Sequence, residues 1–85
     1  MENTYEKFER KLTMFVYNFA RDIDAELGTC EMEGTVGIEH ARAIHASLAD
    51  VAGMLSAWPY AQAIISMAKE NSKKKFEHLK EVYKD

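Results

Sequence analysis

The sequence predicts an all-α fold, an antiparallel three-helix bundle, and two observations carry that expectation. Apolar residues recur at spacings of three and four through most of the 85 residues, the period of amphipathic helices. Glycine and proline number only four and one, too few for a turn-rich β fold, and they mark the places where the chain has to turn. Helices are expected over about residues 3–27, 38–57 and 59–84 of a single domain.

In the first helix Tyr5, Phe8, Leu12, Phe15, Phe19, Ile23 and Leu27 form the inward stripe, with Val16 beside them. Asn3 or Thr4 supplies the N-cap, and Gly28 stands where a left-handed C-cap glycine belongs. Residues 28–37 hold three of the four glycines and read as a loop. The second helix presents Ile38, Ala41, Ile44, Leu48, Val51, Ala52 and Leu55 on one face.

Trp58-Pro59 is the second boundary, because proline suits the first turn of a new helix and disrupts the interior of an old one. A sharp corner is expected there. The alternative is a helical hairpin whose long second helix is kinked at Pro59 and which has to oligomerise. The third helix presents Ala61, Ile64, Ile65, Ala68, Phe76, Leu79, Val82 and Tyr83, interrupted by Asn71, Ser72 and Lys75.

Charge is unevenly laid out within a net −3. Residues 22–50 carry Arg42 alone against seven acids, whereas the third segment is rich in lysine. An antiparallel bundle brings the acidic 22–39 stretch to the same pole as Lys73, Lys74, Lys75, Lys80 and Lys84, which makes the topology self-consistent.

Composition excludes several classes of function. The 47% hydrophobic and 29% charged content is that of a folded domain. No apolar run approaches the ~20 residues of a membrane span, and the start of the chain lacks the basic and apolar regions of a signal peptide. Cys30 is the single cysteine, which fits a cytoplasmic protein. A chain this short buries only roughly 60% of its unfolded surface, so partner chains commonly supply the rest.

No catalytic residue and no cofactor are expected, since nucleophile-elbow, phosphate-loop and dinucleotide motifs are missing. Acids around Cys30 blunt its thiol, although pairing with His40 in three dimensions stays open. No metal site is expected either. His40 and His45 are five apart and project about 140° from each other on a helix. His78 and Glu81 are at i, i+3, enough for one ion at a partner interface. Asp22, Asp24 and Glu26 lack the loop pattern of a calcium site. Nucleic acid is a poor fit as well, because Glu70, Glu77 and Glu81 interleave with the lysines and Lys73–Glu77 is an i, i+4 ion pair.

What remains is a second stripe on the first helix. Lys7, Arg10, Met14, Tyr17 and Arg21 follow one another at three, four, three, four, opposite Phe8, Phe15 and Phe19. Met and Tyr bracketed by Arg are enriched in interfaces. The competing explanation is that the third helix covers this stripe. Met54, Trp58 and Tyr60 make a second candidate patch, with a core plug as its plainer explanation.

The expected function is that of a non-enzymatic helical interaction protein: a homo-oligomer that binds a protein partner as adaptor, regulator or inhibitor. Phage inhibitors of host defence share its size and style. The alternative is a module for a small anionic ligand, such as a nucleotide, held by Arg10, Tyr17 and Arg21 at a subunit interface.

Overall fold

A computed structural model describes residues 3–83. Among them three helices run in antiparallel succession: α1, Thr4–Cys30; α2, Thr35–Met54; and α3, Pro59–Val82. Each packs against the other two, so the fold is the expected all-α three-helix bundle. Asn3 is the N-cap of α1, its side-chain oxygen accepting from the Glu6 N–H at 2.8 Å. The upper bound expected for the third helix, residue 84, lies outside the described residues, as does Lys84.

The hairpin alternative is overturned at Trp58. Its backbone (φ −128°, ψ 80°) is not helical, α2 has already ended at Met54, and Pro59 opens a separate helix. The corner is stitched by its neighbours. The Gln62 side-chain amide donates to the Ala52 carbonyl at 2.8 Å, alongside the Leu55 N–H that caps the end of α2. From the start of α1, the Tyr5 hydroxyl donates to the Ala57 carbonyl at 3.1 Å.

The first boundary differs from expectation. Gly28 does not cap α1, which continues through it to Cys30, and the turn shrinks to residues 31–34. Among the described residues only Gly34 takes a positive φ, 65°, so it is the glycine that turns the chain. Tertiary burial overrides the local signal at Gly28. Leu27 and Cys30 pack with Ala41 and Leu79, and that contact holds the last turn of α1 helical. α2 in consequence starts at Thr35, three residues before the expected Ile38.

The core has two parts. Val16, Leu48, Ala52, Ala61, Ile65 and Ala68 fill the middle of the bundle, and Leu27, Cys30, Ala41 and Leu79 fill the acidic pole. α3 packs extensively on both partners, while α1 and α2 touch each other sparsely. The inward face of α2 is the expected one. Ser72 on α3, expected to interrupt the apolar face, is instead fully buried and donates to the Lys69 carbonyl at 2.6 Å. His45 reaches across from α2, its Nδ1 3.1 Å from that same carbonyl. Val82, by contrast, points outward.

The inward line of α1 is corrected too. It runs Leu12, Val16, Ala20, Ile23, Leu27 and Cys30. Phe15 is 70% exposed and Phe19 37%, with Phe8 half exposed, although the sequence assigns all three to the core. They project about 60–100° to one side of Val16. Glu26 projects to that same side and reaches His40 of α2, so the phenylalanines lie along the α1–α2 seam. Because that seam is loosely packed, Phe15 and Phe19 stay open, while Phe8 is partly covered by Trp58.

Gly37 fixes how closely α1 and α2 meet. A Cβ there would collide with the Cys30 carbonyl oxygen, a backbone atom that cannot rotate away. Gly37→Ala is expected to destabilise the fold by about 2–3 kcal/mol through overpacking, read as a lower urea midpoint. Gly53→Ala, at an open helical position, should be neutral or stabilising by up to about 1 kcal/mol.

Candidate binding surface

The second stripe of α1 lies on the flank opposite the phenylalanines, beside α3. Two grooves divide it. The first, of about 260 Å³, is lined by Tyr17, Ala20, Arg21 and Asp24 of α1 and by Ile64, Met67, Ala68 and Asn71 of α3. The second lies nearer the start of α1, lined by Glu6, Glu9, Arg10, Thr13 and Met14 with Tyr60 from the first turn of α3. Lys7 is exposed and lines neither groove.

α3 therefore runs along the stripe without covering it. Met14 is 63% and Tyr17 55% exposed, while Tyr60 and Met67 across the grooves are each 69% exposed. The sequence signal for the α3 half was weak. Tyr60 and Met67 fall at i and i+7 on one helix face, and Met67 is not among the apolar residues expected of the third helix. The α1 half was legible because a helix exposes both flanks of its apolar arc when its neighbours are narrow.

The second candidate patch is divided. Trp58 turns inward, stacking on Tyr5 at 4.8 Å between ring centroids and on the tilted Phe8 ring at 4.9 Å. It is the core plug of that pole. Tyr60 belongs to the groove with Arg10 and Met14, and Met54 stands exposed at the end of α2.

Electrostatics at the other pole follow the topology. Lys75 of α3 pairs with Glu31 in the α1–α2 turn, and the Tyr83 hydroxyl donates to the Glu31 carbonyl at 3.2 Å. Lys80 and Arg42 approach the two sides of the half-buried Phe76, at 5.1 and 4.8 Å from its ring centre. Of the expected lysine cluster, Lys75 meets the acidic turn directly, and Lys84 lies outside the described residues. The hydrogen bond and the charge of Lys75 hold the Glu31 carboxyl below the usual range.

Sequence reasoning left Cys30 with His40 open but missed the full grouping with Glu33. Cys30, Glu33 and His40 converge at the α1–α2 turn, their ligand atoms within 4.8 Å of one another. The spacing C-x2-E-x6-H crosses a helix boundary, so neither helical periodicity nor a known motif reveals it. Burial, then the charges of Glu33 and Glu26, push the Cys30 thiol up from its ordinary range. Comparison with known protein families, curated proteins and solved structures finds no match to this chain. No helix among the described residues is long and apolar enough to cross a membrane.

The Glu31 carboxyl, lowered in the folded state, contributes stability that is present above its unfolded value and lost as pH falls through the folded one. A side-chain carboxyl NMR titration should therefore place Glu31 below the usual glutamate range. Lys75→Gln should move it back up towards that range.

Proposed function

We propose that this chain is a helical interaction protein that self-associates through one flank of α1 and captures a protein partner on the other. The observation that supports this reading is the exposure of α1 on both sides. Phe15 and Phe19 on one flank and Met14 and Tyr17 on the other stay outside a core that needs only the arc between them.

The phenylalanine flank has the pattern of a two-fold contact. Phe8, Lys11, Phe15, Phe19, Asp22 and Glu26 follow at three, four, four, three and four, nearly the same read in either direction. Two antiparallel copies of α1 crossing near Tyr17 would set Phe15 against the partner's Phe19 and Lys11 against the partner's Asp22. Such reciprocity is what an isologous interface requires. Area agrees with it. The chain exposes 5896 Å², whereas a compact monomer of 9.7 kDa exposes roughly 5,100 Å². The excess reflects an elongated bundle that leaves flank surface open to a second copy.

The other flank suits a protein partner better than a small anion. Asp24 shares its groove with Arg21, and Glu6 and Glu9 share theirs with Arg10, so neither groove is a cationic pocket. Mixed charge around exposed Met and Tyr is the character of a protein-binding surface. The anionic-ligand reading rests on Tyr17 and Arg21 sharing one groove, and nucleotides are expected to leave the melting temperature unchanged.

Sedimentation equilibrium should find a dimer, and Phe15→Glu with Phe19→Glu should yield a folded monomer of unchanged helical circular dichroism. Arg10→Glu with Tyr17→Ala should leave the dimer intact and weaken capture of the protein partner by at least about tenfold, as for interface hot spots. A strictly monomeric wild-type chain whose partner capture ignores the second pair of substitutions would refute the proposal.

A further inference from the structure

Cys30, Glu33 and His40 occupy three successive structural positions around one point: the last residue of α1, the turn, and the second turn of α2. Their sulfur, oxygen and nitrogen ligand atoms all lie within 4.8 Å of one another. We propose that these three side chains bind a zinc-class transition-metal ion, with Glu26 orienting the imidazole.

The imidazole is held from both sides. Its Nδ1 faces Glu33 Oε1 at 2.8 Å, and its Nε2 faces Glu26 Oε1 at 3.2 Å. In the loaded site Nε2–H keeps donating to Glu26 while the Nδ1 lone pair turns to the metal. A carboxylate on the far ring nitrogen is the usual support of a metal-binding histidine, because it fixes the tautomer and the ring plane. Gly37 makes the convergence possible, since only a residue without Cβ lets the start of α2 approach the Cys30 backbone.

Distances and charge both suit zinc. Bonds of about 2.3 Å to sulfur and 2.0–2.2 Å to nitrogen and oxygen place tetrahedral ligands roughly 3.3–3.7 Å apart, within about 1 Å of the arrangement found. Side-chain rotation at Glu33 and His40, each side chain about a third exposed, supplies that adjustment. Thiolate, carboxylate and neutral imidazole sum to −2, which a divalent ion cancels. The thiol proton and the proton between His40 Nδ1 and Glu33 Oε1 leave to solvent on binding. With Cys30 at the buried base and the other two ligands at the rim, water takes the fourth position. Thiolate and imidazole select zinc or cobalt over magnesium and calcium, which require oxygen.

The test is a cobalt titration of the reduced full-length chain, followed by zinc displacement. A sulfur-to-cobalt charge-transfer band saturating at one equivalent is expected, with its loss on adding zinc. Zinc at about 100 times its Kd should raise the melting temperature by roughly 10–20 °C, and magnesium should not. Glu26→Gln should weaken binding roughly 10–100-fold. Cys30→Ser should abolish the band, but the thiol is part of the core, so His40→Gln and Glu33→Gln, at half-buried positions, carry the decision. Loss of the zinc-induced shift in both supports the site. Absence of the band in the wild-type chain, or a band and shift that persist in both variants, overturns it.

Discussion

Close approach of α3 to both other helices on small side chains is the contact from which the rest of the molecule follows. Ala61 and Ala68 on α3 meet Ala52 on α2 and Val16 on α1, with Ile65 and Leu48 filling the middle. A seam this narrow brings backbones together and excludes side chains as large as phenylalanine from between them. The aromatic residues of α1 are left along its edges. Close packing in the centre and exposure at the flanks are therefore two results of one choice of residue size.

That choice shapes the molecule as a whole. The bundle is 58 Å long and only 19 by 13 Å across, thin because α1 and α2 both lean on α3 more than on each other. Tyrosines clip the two poles: Tyr5 holds the α2–α3 corner and Tyr83 the α1–α2 turn. Each is one hydrogen bond, worth on the order of 1 kcal/mol net. Their positions at the far ends of α1 and α3 give them leverage over connections that the narrow core does not reach.

The α1–α2 turn gathers a dense group of polar contacts. Gly34 turns the backbone, Gly37 admits α2, and Lys75 anchors Glu31 from the opposite helix. Glu33, His40 and Glu26 are thereby held in register above a buried thiol. Local geometry and surface charge at this pole are thus set by contacts between residues far apart in sequence.

The three helices, the Asn3 cap, the Trp58-Pro59 corner and the pairing of acids with lysine at one pole were legible in the sequence. Each depends on periodicity, a capping side chain, a missing N–H or topology, all of which are local or nearly so. Which part of the wide apolar arc of α1 would be buried was not. Phe8, Phe15 and Phe19 satisfy helical spacing as well as Leu12, Val16 and Ala20 do, and only the width of the neighbouring helices decides between them. Gly28 likewise carries the local signature of a cap, yet burial of Leu27 and Cys30 beside Leu79 keeps it helical. The stripe of Arg10, Met14, Tyr17 and Arg21 was legible as a second face, while its continuation through Tyr60 and Met67 depended on where α3 lies. Sequence alone determined that α1 is apolar over more than one face. Tertiary structure decided which face became the core, because a helix can be buried only where its neighbours are narrow enough to reach it.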